Sequence, residues 1–155
     1  GPLTVALALA VGAVLILLVE KYKPAPKVAD LEELTPRLAL GIGVFQCLSL
    51  WPGFSRSAST ILGGMILGAE RRLATEYSFL SAVPIMFMAT GFKLISDYSL
   101  FTASDLPFLA VGFAVSFISA LLAVKGFIHL VSRISLAPFA WYRLALAPLV
   151  YFYFV

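Results

Sequence analysis

Charge is what this sequence has least of: Asp, Glu, Lys and Arg make up 12% of its 155 residues. A water-soluble domain carries roughly 25%. With 61% hydrophobic residues beside that shortage, a soluble globular chain is excluded and an integral membrane protein is expected. Cysteine is nearly absent too, and the single Cys47 excludes a disulfide framework and reads as an inert small residue. His129 is the sole histidine; it lies in a basic segment and reads as an interface residue rather than a catalytic base. The net charge of +3 is small and its basic residues are scattered, so no nucleic-acid partner is expected. No internal repeat or low-complexity tract is visible. What the chain does have is aromatic residues, 14% of the total, which exclude disorder.

Crossing roughly 30 Å of hydrocarbon takes about 20 apolar residues at about 1.5 Å each, with about 17 near the lower limit. Leu3–Val19, Leu73–Phe92, Leu106–Val124 and Leu136–Val155 meet that requirement. The chain begins Gly1-Pro2, equally native sequence or the remnant of a removed tag. No basic segment precedes Leu3–Val19 and no small-residue cleavage site follows it, so it is expected to span rather than to act as a signal peptide. Pro84 is expected to kink its helix.

Residues 38–69 behave differently. Leu38–Leu50 and Ala58–Ala69 are each too short to cross, and Trp51-Pro52-Gly53-Phe54-Ser55-Arg56-Ser57 separates them. Pro52 lacks a backbone donor and Gly53 is at ease outside helical geometry, so a helix breaks here. Broken backbone within a bilayer survives only when buried in protein or lining a wet cavity. Charge selects between a kinked crossing and a hairpin that enters and leaves by one face. A hairpin gathers Lys21, Lys23, Lys27, Arg37, Arg71, Arg72, Lys125 and Arg133 on one side and leaves Lys93 on the other, whereas a single crossing divides the charges almost evenly. The expected fold is therefore an all-α integral membrane bundle, a single domain over residues 1–155, polytopic, with a re-entrant helix pair. Glu20–Arg37, the Glu70–Arg72 turn and the Lys125–Leu136 loop face the cytoplasm. Ser96–Asp105 and the C-terminus face outward. The proline-rich linker Lys21–Pro36 is expected to be a solvated connector.

The residues at the break are donors. An arginine inside a membrane segment costs at least about 2.5–3.5 kcal/mol, so Arg56 is a functional candidate. Ser55, Ser57, Ser59 and Thr60 surround it where the second short helix starts. A helix N-terminus offers unpaired N–H groups and about half a positive charge, which suits an anion. A guanidinium grips phosphate through two parallel hydrogen bonds. The expected guest is a phosphate group, with Arg56 and Ser55 as candidate catalytic residues and Gly53, Ser57, Thr60 and Gln46 as candidate phosphate-binding residues. Structural alternatives stand beside these: a serine that only caps the helix, Arg56 paired with Glu76 or Glu70, and Gln46 bonded between helices. Gly63, Gly64 and Gly68 read as helix-packing positions. Arg143 reads as structurally paired or snorkelling.

The stretch Gly43–Thr60, with Pro52-Gly53-Phe54-Ser55-Arg56-Ser57 at its centre, resembles the second signature of the bacterial undecaprenyl-diphosphatase (bacitracin-resistance) family; Ala58 stands where that signature usually has Gly. The resemblance continues through Glu76-Tyr77-Ser78-Phe79-Leu80, Val83-Pro84 and Pro138-Phe139-Ala140-Trp141-Tyr142-Arg143. It implies a bacterial inner-membrane enzyme of two inverted halves, each with a re-entrant helix pair. That enzyme hydrolyses undecaprenyl diphosphate at the periplasmic face, recycles the lipid carrier for wall synthesis and confers bacitracin resistance. A divalent metal, Mg or Ca, supports the activity, and a homo-oligomer is left open. The family's first signature, with paired glutamates and a Ser-Ser-Thr-Gly-His stretch, is absent, so the chain resembles the C-terminal half. The base and metal carboxylates are then expected in the missing N-terminal half. The alternative is a carrier or flippase that binds a phosphorylated lipid without cleaving it.

Overall fold

Proline opens three of the helices, at Pro2, Pro36 and Pro107, where its missing N–H group would have had no partner anyway. The computed structural model describes residues 1–100 and 103–154. Its helices are α1 (Pro2–Tyr22), α2 (Pro36–Gln46), α3 (Arg56–Ile66), α4 (Arg71–Ser96), α5 (Leu106–Arg133) and α6 (Ala137–Phe154), with short 3-10 turns between them. No strand occurs among the described residues, so the all-α class holds. α1, α4 and α5 are each long and apolar enough to cross a membrane. The expected span 136–155 is helical from Ala137, while Val155, and Phe101 and Thr102 of the expected outer loop, lie outside the described residues.

α2 and α3 fold back on each other, with glycine making the contact close. A Cβ on Gly63 would lie 2.5 Å from Phe45 Cβ, one on Gly41 2.7 Å from the Leu67 side chain, and one on Gly64 3.5 Å from Ile42. These pairings run antiparallel. Gly64 also meets α4, where a Cβ would lie 2.8 Å from Ala74 Cβ. Gly68 is not the packing residue that its spacing suggested. It has φ +96° and ends α3, with Ala69 N–H donating to Gly64 O and Gly68 N–H to Met65 O. That is the pattern a left-handed residue just past a helix end produces, and it needs glycine.

One end of the bundle is tied together. Glu20 near the end of α1 accepts from Arg71 Nη2 at 2.7 Å, Lys23 Nζ at 3.1 Å and Leu136 N–H at 2.8 Å. Arg71 Nη1 donates to Ile134 O. The connector is pinned rather than free: Lys27 and Val28 donate to Gly68 O, and Glu70 N–H donates to Val28 O. Thus the end of α1, the start of α2, the end of α3, the start of α4 and the α5–α6 turn share one end. α5 runs nine residues past the expected Val124, so the loop shrinks to residues 134–136 and His129 stands on a helix. Packing explains the extension. Val131 is buried, and Phe127 sits edge-on to Phe79 and Phe139.

The core runs along α1, α3, the first turns of α4 and the start of α6, through Ile16, Leu62, Leu73 and Ala140. α1 and α6 pack along each other, and the small residues Ala6 and Ala13 on one and Ala140 and Ala147 on the other are buried, as close helix packing in a membrane favours. From Leu106 to Ala123 every residue of α5 is exposed, with Phe108, Phe113 and Phe117 among them. An apolar face of that kind belongs against lipid or another apolar surface.

Candidate functional site

The break starts at Trp51, whose ring stacks on the buried Phe54 at 6.3 Å. Gly53 adopts φ +93° and presses on α1; a Cβ there would lie 2.9 Å from Val5 O. Both the angle and the contact require glycine. Ser55 follows with φ +74°, the one non-glycine residue with positive φ among those described. Its Oγ caps α3 by accepting from Ala58 N–H at 3.4 Å, and its carbonyl takes Ser59 N–H. The Arg56 and Ser57 amides are left to be matched from outside the helix.

Two polar faces leave this helix start. On one, Arg56 Nη1 donates to Ser78 O of α4 at 3.1 Å, and the buried Thr60 Oγ1 lies 2.7 Å from Ser78 Oγ. Thr60 and Ser59 hydroxyls also bond to Arg56 O. On the other face, Ser55 and Ser57 line a cavity of about 150 Å³ with Arg143, Tyr142, Phe139 and Phe127. The structure thus brings Ser55 and Ser57 together at the cavity and commits Thr60 to the α3–α4 contact. Gln46 is half-buried at the end of α2; its carbonyl accepts from Ser49 Oγ, and its side chain does not line the cavity.

Arg56 has neither expected acidic partner, because Glu76 pairs with Arg72 at 2.8 Å and Glu70 forms no ion pair with it. Arg143 does not snorkel; it is paired structurally, as one of the two readings expected, with backbone carbonyls rather than with an acid. It is 8% exposed, and its Nη2 donates to Gly53 O and Phe54 O, both at 3.1 Å, and to Ala8 O at 3.3 Å. Nε reaches Leu9 O at 3.5 Å. Gly12 makes the room, since a Cβ there would lie 2.5 Å from Nη2. Leu9 lies about 16 Å from Glu20 along α1 at 1.5 Å per residue, so the break sits near mid-bundle. What Arg143 holds was not legible beforehand because backbone carbonyls leave no side-chain signature. Ser78 carried no distinct signal, because Thr75, Ser81 and Thr90 are hydroxyls in the same span.

No group of three or more His, Cys, Asp and Glu that could hold a metal ion occurs among the described residues. The break presents N–H donors and guanidinium groups, which fit an anion and not a divalent cation.

The sequence profile of the family described as Bacitracin resistance protein BacA matches residues 1–149. The chain belongs to this family. Curated relatives named undecaprenyl-diphosphatase include one from Maridesulfovibrio salexigens, 65% identical over 99% of this chain, and one from Nitratidesulfovibrio vulgaris strain DP4, 64% identical over 98%. A third, from Solidesulfovibrio magneticus, is 63% identical over 99%. The chain spans 58%, 57% and 58% of the length of these family members, respectively.

Proposed function

We propose that this chain forms the phosphate-binding part of a lipid diphosphatase that cleaves undecaprenyl diphosphate to undecaprenyl phosphate and inorganic phosphate. The observation that carries this reading is a helix start with unmatched amides, flanked by Arg56 and Arg143, neither of which has a carboxylate partner among the described residues. The relatives' name supplies the lipid. Water adds to the terminal phosphorus, the P–O–P bridge breaks, and the lipid monophosphate leaves. Charge develops on the phosphoryl oxygens, where preorganised donors matter most. Arg56, held at one amine by Ser78 O, offers its remaining N–H groups to that charge. Ser55 and Ser57 contribute hydroxyls, and Thr60 positions Arg56 through Ser78.

In this reading the general base and the ligands of a divalent metal come from a further N-terminal portion. The hairpin enters an inner membrane from the cytoplasm, and the site opens to the periplasm, where turnover recycles the wall-polymer carrier and withholds the diphosphate from bacitracin. A carrier that binds the lipid without cleaving it is the second reading, favoured by a cavity without carboxylate or imidazole.

The test is phosphate release from undecaprenyl diphosphate by the chain alone and with the N-terminal portion of a relative co-expressed. Activity is expected from the pair and a loss of about 100-fold or more on Arg56→Ala, as for removal of a transition-state donor. Release by the lone chain would place the chemistry on this chain's own groups at the break, Ser55 first, and remove the need for an N-terminal portion. A folded pair that binds the lipid and releases nothing would favour the carrier.

A further inference from the structure

Arg143 reaches the break from α6, and the bonds it makes end on backbone oxygen. Two of those oxygens, of Ala8 and Leu9, belong to α1; the other two, of Gly53 and Phe54, belong to the break. Across a trans peptide bond the C=O and the following N–H point in opposite directions, and no cis bond occurs among the described residues. The Gly53 carbonyl on Nη2 therefore turns the Phe54 N–H away, and that amide donates to Trp51 O at 3.0 Å. The Phe54 carbonyl on Nη2 turns the Ser55 N–H away in the same manner. No described residue accepts from the Ser55 amide, nor from the Arg56 and Ser57 amides that follow it. Three successive donors thus open α3, and Arg143 aims the first of them. A guanidinium on a carbonyl also polarises its peptide, which strengthens the N–H at the other end. Gly12 leaves room for this grip, since a Cβ there would lie 2.5 Å from Nη2.

We propose that Arg143 is a positioning residue. It never touches the phosphate; it holds the Phe54–Ser55 peptide so that the Ser55 N–H donates to the phosphoryl group beside the Arg56 and Ser57 amides. The phosphate then lies on the side of the break turned away from Arg143, where the Arg56 side chain is. The inference rests on the phosphate-site reading and adds to it a backbone donor and the side chain that sets that donor. It also gives α6 a part in the site, although α6 is distant in sequence from the break.

The experiment uses the chain with a relative's N-terminal portion co-expressed, and reads turnover of undecaprenyl diphosphate together with the Ser55 amide resonance. Arg143→Met keeps the buried stem and removes the donors. It should lower kcat about 10-fold or more, part of what loss of an oxyanion donor costs, and change KM by no more than about three-fold. Arg143→Lys brings three N–H groups to the three carbonyls that meet at Nη2, and should restore kcat to within about five-fold of wild type. Gly12→Ala crowds Nη2 without removing it and should also lower kcat; it carries the test where Arg143→Met does not fold. Unchanged kcat per folded enzyme in Arg143→Met or Gly12→Ala would make Arg143 a structural tie and overturn the proposal. So would a raised KM at wild-type kcat, which would place Arg143 on the substrate. In 15N-serine-labelled protein, inorganic phosphate should move the Ser55 amide proton downfield in wild type, and much less in Arg143→Met or Gly12→Ala. Phosphate that moves the Ser57 amide and leaves Ser55 still would overturn the proposal and spare the phosphate site. An Arg143-dependent Ser55 shift in a pair that releases no phosphate from the lipid would leave this inference standing while removing the hydrolase.

Discussion

Ser55 occupies a backbone region that costs a residue with a Cβ roughly 1–2 kcal/mol, and it does so beside two serines and an arginine. Such strain persists where surrounding structure imposes it, and it gathers at sites of chemistry. Here Gly53 against Val5 and Arg143 on the Gly53 and Phe54 carbonyls impose it. Ser55→Gly should relieve the strain, raising thermal stability by up to about 1 kcal/mol because glycine caps nearly as well. It should also lower phosphate release about 10-fold or more, because the hydroxyl is gone. Wild-type turnover in Ser55→Gly would remove that hydroxyl from the chemistry. Thr60 sits differently, buried with its hydroxyl on Ser78. Thr60→Val should destabilise by about 0.5–2 kcal/mol, and the added cost of Ser78→Ala should be smaller than in wild type, since one bond joins the pair. Additive costs in a thermal double-mutant cycle would mean that the contact is not coupled.

The α2–α3 hairpin depends on glycine at particular heights, as the contrast between Gly63 and Gly43 shows. A Cβ on Gly63 meets Phe45 Cβ, which cannot swing away, whereas a Cβ on Gly43 meets nothing within 4 Å. Gly63→Ala should cost about 1–3 kcal/mol by forcing the helices apart, while Gly43→Ala should be neutral or slightly stabilising through helix propensity. Equal melting temperatures for the two variants would contradict the packing. At this scale much was legible beforehand. Pro52-Gly53 announced the break, and the hydroxyl-rich run after it announced the start of α3, because both signals are local. Gly68 was misjudged because a four-residue spacing looks the same whether the second glycine packs or caps. The run of α5 to Arg133 was hidden because charged side chains can be carried on a helix beyond an apolar stretch. The pinning of Lys27 and Val28 on Gly68 was hidden because backbone bonds leave no residue pattern. The same reason concealed what Arg143 holds.

At the scale of the molecule, the distribution of charge and the distribution of bonds agree. Lys21, Lys23, Lys27, Arg37, Arg71, Arg72 and Arg133 lie at or near the end tied together by Glu20, and Lys93 lies towards the far end of α4 beside Asp97. Cytoplasmic faces collect lysine and arginine, so the tied end should face the cytoplasm and the break should be reached from the other side. A membrane-impermeant maleimide tests this in spheroplasts with Cys47→Ser as background, since Cys47 is exposed and would otherwise react. Asp97→Cys and Ser55→Cys should label from outside, while Lys21→Cys and Arg37→Cys should label only after permeabilisation. Ser55 labels with Asp97 because the break sits about 16 Å along α1 from Glu20, roughly half-way through the hydrocarbon, with α2 and α3 closing it off below. Labelling of Ser55→Cys from the cytoplasmic side alone would invert the access route. A diphosphate headgroup would then have to be met from inside the cell, and a periplasmic diphosphatase would give way to a carrier whose site opens inward.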